Sequence, residues 1–419
     1  MDKNAFLAES LEDVYSAGPE AQDESAWEEH FPIIVHCHLR WDFVWQRPQQ
    51  IFSRLADHHR IAYIEEPVVA LVGDSAGPRL QITEPQRNIV RIVPVLPPTM
   101  VSVDDQCAAV LVLMQAALRT HPLLRNQFQD PVQWFYSAMT APSLLGQFGA
   151  RGAVYDCMDE LANFRFAPRD IVERERFLLS RADVVFTGGH QLFESKSRHH
   201  DNVHFYGCGV DVAHFGRARL DHTTVPASVA ALPHPVLGYF GVIDERLDYP
   251  LIERLAKAYP EASIVMAGPV VKVDPEQLPD LPNIHWLGQQ SYDVLPNLVK
   301  GFDVCLMPFA LNDATRYINP TKTLEYMAAG KPIVSTAVAD VVRNFTPVVD
   351  VARSHEHFLA AVHRAWETPD SALLDEGLNR AGKASWSATV ASMRADVQSA
   401  LQVPAYATGR LAIEATDAP

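Results

Sequence analysis

The hydrophobic pattern opens over residues 31–38, a run of apolar positions with histidine at 36 and 38, which predicts a strand buried on both faces of a parallel sheet. Pro48 opens a helix over 49–56, and 60–65 predicts a second strand. Segments 80–83 and 89–95 read as a strand pair, followed by a helix over 103–119. Strands at 132–136, 153–155, 183–187 and 202–206 then interleave with helices at 169–181 and 191–198. Periodicity lapses over 216–234, where Pro226 and Pro233, with Pro235 beyond them, mark a linker. A second alternation follows, with strands at 236–241, 263–267, 284–287, 304–308 and 332–335 and helices at 249–258, 292–300 and 320–329. The sequence beyond 373 is helical through 386–401. Such alternation predicts an α/β protein of two doubly wound, Rossmann-like domains.

These patterns divide the chain into an arm (1–30), a first domain (31–215), a linker (216–234), a second domain (235–380), a helical segment (381–403) and a frayed tail (404–419). With 419 residues, 48% hydrophobic and 21% charged, the chain can bury two ordinary cores. Its formal charge of −16 argues against nucleic-acid binding. Half of that excess lies in the arm, where nine acids face Lys3 alone without sustained period, so the arm is expected to be flexible. Cys37, Cys107, Cys157, Cys208 and Cys305 are scattered, mostly among apolar neighbours, as reduced thiols of a cytoplasmic protein would be. No basic, apolar and small-residue signal opens the chain, and the longest apolar run, 108–118, is too short to span a bilayer.

Candidate chemistry is densest in 319–335, Asn-Pro-Thr-Lys-Thr-Leu-Glu-Tyr-Met-Ala-Ala-Gly-Lys-Pro-Ile-Val-Ser. Asn319 reads as an N-cap, Pro320 suits the first turn, and Gly330 with Pro332 ends the helix. Lys322 and Glu325 share a face with Tyr326 and Ala329. A cation in the first turn opposes the helix dipole, which makes sense if an anion also binds there. Asn319, Thr321, Lys322 and Glu325 are therefore candidates for a nucleotide-diphosphate site, with Glu325 accepting from a ribose diol. An ordinary surface Lys–Glu pair is the competing reading. Gly241, at a strand end, lets a ligand approach the backbone, and Arg246 in the next loop can fork onto a diphosphate.

The first half offers Trp41, Asp42 and Arg47 (with Trp45) in the loop after the first strand, where open α/β sheets place ligands. Both tryptophans could equally pack under that loop. Asp156 and Asp159 leave a strand at its carboxyl end and are candidate general bases, or helix caps. His36 and His38 project to one side of the first strand, as core histidines or as site residues. The 17 histidines lack zinc spacing, and Arg246 and Lys322 can take up diphosphate charge, so no metal and no other cofactor is expected. There is no GxGxxG and no GxxxxGKS, which argues against dehydrogenases and P-loop ATPases.

Pro320-x-Lys322-x-x-Glu325-Tyr326-x-Ala328-x-Gly330-Lys331-Pro332 resembles the donor-binding helix of bacterial glycosyltransferases with the GT-B fold, of the group 1, family 4-like type. Leu311-Asn-Asp-Ala-Thr-Arg316 is similar to the loop that precedes it there, and Arg246 resembles the family's phosphate-binding basic residue. The resemblance implies two domains facing across a cleft, donor in the second and acceptor in the first, which makes His38, Trp41, Asp42 and Arg47, at the end of the first strand and in the loop after it, the acceptor-binding candidates. It implies that Glu325 binds the donor ribose and that the helix beginning near Trp386 crosses back over the first domain. Retaining members carry another glutamate eight positions earlier, where this chain has Tyr317. The implied activity is transfer of a sugar from a nucleotide-diphosphate sugar, the co-substrate, to a glycan, lipid-linked or small-molecule hydroxyl, in surface polysaccharide synthesis. A lipid-linked acceptor would bring the protein to the inner membrane face as a peripheral contact. A nucleotide-sugar epimerase and a non-catalytic sugar-nucleotide-binding protein are the alternatives.

Overall fold

Two parallel sheets organise the chain, and the computed structural model describes residues 30–402 apart from 72 and 75. The flexible arm expected over 1–30, except for His30, and the tail expected over 404–419 lie outside the described residues. The first sheet comprises β1 (Ile33–Cys37), β2 (Ile61–Glu65), β3 (Val68–Val69), β4 (Arg79–Gln86), β5 (Ile89–Leu96), β6 (Val132–Phe135), β7 (Gly152–Cys157), β8 (Val184–Thr187) and β9 (Val203–Phe205). Its order is β3-β5-β2-β1-β6-β7-β8-β9, with β4 antiparallel on β5 and every other pair parallel. The second sheet comprises β10 (Val236–Phe240), β11 (Ser263–Ala267), β12 (Ile284–Gly288), β13 (Val304–Met307), β14 (Ile333–Thr336) and β15 (Val349–Ala352). It runs β12-β11-β10-β13-β14-β15, all parallel.

Both sheets are built from strands buried on each face. In β1 the pleat sends Ile33 and Val35 into one core and Ile34 into the opposite one. The Val103–Thr120 helix covers that second core with Val110, Met114 and Ala117, spaced at four and three residues. In each sheet the first strand, β1 or β10, lies between neighbours connected in opposite directions. The carboxyl ends of β1 and β10 are therefore topological switch points, where open α/β sheets form crevices.

The last helix, Trp386–Gln402, turns Trp386, Val390, Met393 and Val397 into the core beneath β1. That packing ties the end of the second half to the first sheet. Among the described residues, no helix is long and apolar enough to cross a membrane.

Some expectations change. The proline-marked stretch 216–234 is not a free connection: it forms a helix over Ala227–Ala230, and Ala218 and Val229 are buried in the second core. The helix expected over 292–300 splits into a 3-10 turn, Tyr292–Val294, and a helix, Leu295–Lys300, with Pro296 in the first turn, where its missing N–H costs nothing. Strand β15 and the helices Ala339–Phe345 and His355–Glu367 add to the sequence reading, and the helicity expected beyond 373 divides into the helices Ser371–Lys383 and Trp386–Gln402.

Candidate functional site

The two switch points face each other across a cleft, whose lining includes Arg47 and Asp159 from the first half and Gly241, Arg246, Asn319, Thr321, Lys322 and Glu325 from the second. Gly241 follows β10 with φ 142°, a conformation that L side chains rarely adopt. A Cβ there would stand 2.1 Å from Lys322 Cε, and one at Gly268 would stand 1.8 Å from the Gly241 carbonyl oxygen. Two glycines at adjacent strand ends thus make a shelf of bare backbone, and the Lys322 side chain lies across it.

The helix carrying Lys322 and Glu325 runs Lys322–Ala328, starting two residues later than expected, with Thr321 as its N-cap. Tyr326, on the buried side, accepts a hydrogen bond from the Phe240 amide at 3.1 Å and locks the helix to β10. Lys322 Nζ sits 5.5 Å from the Tyr239 ring centroid. Among the described residues, neither Lys322 Nζ nor the Glu325 carboxylate has a hydrogen-bond partner. Burial lowers the Lys322 pKa, with the Glu325 charge opposing. Burial raises the Glu325 carboxyl to about 7, again opposed by its neighbour Lys322. Two desolvated titratable groups left short of hydrogen-bond partners make this wall a candidate binding site.

Asn319 is not the expected cap. Its side-chain amide donates to the Gly188 carbonyl at 3.0 Å, joining the second half to the first. Its Oδ1 is buried and has no partner among the described residues. Arg246 departs further: its expected fork onto a diphosphate is filled by Asp244, Nε to Oδ1 at 2.9 Å and Nη2 to Oδ2 at 2.7 Å. Asp244 is itself buried, so the guanidinium meets the cleft already paired.

Asp159 lies opposite, after β7. Desolvation raises its carboxyl to about 6, with the Arg246 charge pulling the other way. Asp156, the other expected base, is fully buried and accepts from Arg47 Nε at 3.0 Å, which makes it structural. Arg47 is correspondingly a pin: Nη1 donates to the Tyr206 carbonyl at 2.7 Å, and only Nη2 lacks a partner among the described residues.

Of the remaining acceptor candidates, Trp45 lines this cleft while Trp41, Asp42 and His38 fall outside it. Trp41 is buried, edge-on to Tyr63 with ring centroids 5.1 Å apart, so it packs under the loop. The Asp42 carboxylate is exposed and pairs with Arg91 at 2.5 Å. His38 lines a separate cavity beside Glu65 and Cys107, and burial lowers its pKa to about 4. His36 stacks on Phe135 with centroids 4.5 Å apart, as a core histidine. Tyr317 packs against the first half's core rather than lining the cleft. Sequence reasoning passed over Gly268, although it ends β11 as Gly241 ends β10, and Asp244, two residues before Arg246.

Two doubly wound parallel sheets meeting at their switch-point edges are the GT-B arrangement of glycosyltransferases. Residues 234–368 match the family described as glycosyl transferases group 1, and that segment holds β10 through β15 and the Lys322–Ala328 helix.

The chain is 24% identical over 251 residues to TuaH of Bacillus subtilis (strain 168), named for teichuronic acid biosynthesis as a glycosyltransferase. The match covers 55% of this chain and 62% of that relative's length. Among solved structures, sucrose-phosphate synthase from Thermosynechococcus elongatus superposes with a TM-score of 0.66 at 15% identity, covering 88% of this chain and 98% of that one. An E. coli protein titled trehalose-6-phosphate, bound with UDP-2-fluoro glucose, gives 0.63 at 12% identity over 90% and 99% of the two chains. Anabaena HepE in complex with UDP and glucose gives 0.61 at 14% identity over 88% and 100%. At these identities the structures establish the fold.

Proposed function

We propose that this protein transfers a sugar from a nucleotide-diphosphate sugar to an acceptor hydroxyl, in the synthesis of a surface polysaccharide. The observation that carries the reading is the pair Lys322 and Glu325, titratable, desolvated and without hydrogen-bond partners among the described residues, on one wall of the cleft. Lys322 receives the diphosphate over the Gly241–Gly268 shelf, and Glu325 accepts from the ribose hydroxyls. Asp159 takes the proton of the acceptor hydroxyl as its oxygen bonds to the sugar's anomeric carbon. The bond from that carbon to the diphosphate breaks, and its electron pair leaves with the phosphate, whose charge Lys322 offsets. Arg246, paired with Asp244, lends its charge to Asp159 rather than forking onto the donor. Supporting a uridine nucleotide are two relatives of the same fold whose titles name UDP or a UDP sugar. Supporting a polysaccharide product is the name of the teichuronic acid relative.

The test is thermal unfolding with UDP, GDP and ADP in turn. At least one raises the melting temperature of the wild type, as ligand linkage requires, and Lys322→Ala and Glu325→Ala lose that rise. No rise with any nucleotide contradicts the proposal.

A further inference from the structure

The turn that leaves β8, Gly188-Gly189-His190, is held by the second half of the molecule. Asp340, in the first turn of the helix Ala339–Phe345, accepts from the His190 amide through Oδ2 at 2.8 Å. His190 opens the helix His190–Lys196, whose cap position is Gly189. A glycine cap has no side-chain acceptor, so an otherwise orphaned helix amide is satisfied from the opposite half. The same glycine lets the halves meet: a Cβ at 189 would stand 2.8 Å from Asp340 Oδ2 and 3.1 Å from the Tyr317 carbonyl oxygen.

This turn leads to both walls of the cleft. Gly188 donates its amide to the Cys157 carbonyl at 3.1 Å, and a Cβ on it would meet the Met158 carbonyl oxygen at 3.2 Å. Asp159 is the next residue along. Gly188 also accepts, at its carbonyl, from the side chain of Asn319, which precedes Lys322 by three positions. Met158, Asp159, Gly188, Asn319 and Lys322 all line the cleft.

Asp340 is held there against its own hydration. It is 1% exposed, its Oδ1 has no partner among the described residues, and burial raises its carboxyl against the pull of the His190 amide. One hydrogen bond favours the contact while a half-satisfied buried carboxylate opposes it. The exposed Arg343–Glu194 pair crosses the same junction, where solvent leaves such pairs little weight. A junction balanced in this way can part and re-form, as admitting a substrate and releasing a product require.

We infer that Asp340 is a positioning residue for the transfer: by holding the His190 amide it fixes the Met158–Asp159 turn relative to the Lys322 helix. The inference rests on the transferase reading above and names what aligns the two walls.

Three variants of the full chain test it: Asp340→Ala, Asp340→Asn and Gly189→Ala, the last pushing on the same contact from the first half. Each should bind nucleotide, probed with UDP, GDP and ADP, as wild type does, since Lys322 and Glu325 belong to the second half alone. In Asp340→Ala and Gly189→Ala, the amides of Met158 and Asp159 should exchange with solvent about tenfold faster, as local opening becomes easier. Their kcat at saturating donor should fall by about tenfold or more, as a misplaced reacting group implies. Asp340→Asn keeps an acceptor for the His190 amide and should restore both. The pH profile separates alignment from stability. Asp159 owes its raised carboxyl to burial, with Arg246, Asp244, Arg47 and Lys272 around it. In Asp340→Ala the midpoint of kcat should therefore move from about 6 toward the ordinary carboxylate range. Unchanged exchange at Met158 and Asp159, an unmoved midpoint, or an Asp340→Asn enzyme as slow as Asp340→Ala overturns the inference. Failure of the wild type to bind any of the three nucleotides overturns the donor site instead, and the exchange measurement still decides the contact.

Discussion

Lys322 reaches the cleft only because position 241 has no side chain: its Cε passes 2.1 Å from where a Cβ on Gly241 would stand. Gly241 therefore shapes the path of the residue proposed to bind phosphate, besides satisfying its own φ of 142°. Gly241→Ala should displace the ammonium and strain the loop, at about 1–3 kcal/mol for the backbone alone. The expected result is nucleotide affinity reduced more than tenfold, as the loss of a charge-assisted hydrogen bond of ~1.5–3 kcal/mol implies. Titration calorimetry with UDP checks it; an Ala variant that binds like wild type contradicts the geometry.

Asp159 sets a pH dependence. Its carboxyl is raised to about 6, so the base is ionised above that pH and protonated below it. At saturating donor, kcat should fall as pH drops through about 6. The stability effect has the opposite sense. A folded pKa raised above the unfolded value means the folded state holds its proton more tightly, so this group's contribution falls as pH rises from about 4 through 6. Asp159→Asn should accordingly melt no lower than wild type at pH 7 while transferring sugar ~10²–10⁴-fold more slowly. A pH profile for kcat that is flat between 5 and 7 would rule Asp159 out.

Arg47 and Asp156 form a buried pair whose members have separate consequences. Arg47→Met leaves a buried carboxylate uncompensated, and breaking such a pair costs about 3–5 kcal/mol. Chemical unfolding should show that loss. Replacing both, as Arg47→Met with Asp156→Leu, should recover much of it. A single variant as stable as wild type would mean the pair is not holding the loop after β1.

The sequence made the architecture legible because parallel strands, buried on both faces, appear as short apolar runs. The runs at 263–267 and 236–241 match β11 and β10 almost residue for residue. The cleft wall that carries Lys322, Glu325 and Gly241 was legible too, since these residues belong to local patterns. Pairings between remote residues were not. Nothing near Arg47 indicates that Asp156, 109 positions away, will take its guanidinium. The Arg246–Asp244 fork was within reach, two residues apart, but a loop's local pairing competes with an external ligand and spacing does not decide which wins. Asn319 shows the same limit: it is a good cap by type, but its side-chain amide instead donates to Gly188, 131 positions away.

The central claim divides the labour between Glu325 on one wall of the cleft and Asp159 on the other. The most direct measurement pairs nucleotide affinity with the rate of sugar transfer at saturating donor, in Glu325→Ala and Asp159→Asn. Glu325→Ala should weaken nucleotide binding by more than tenfold, the equivalent of a lost charge-assisted hydrogen bond. Asp159→Asn should bind nucleotide as wild type does and lose ~10²–10⁴ in rate. Normal transfer by Asp159→Asn, or unchanged nucleotide affinity in Glu325→Ala, would contradict the account.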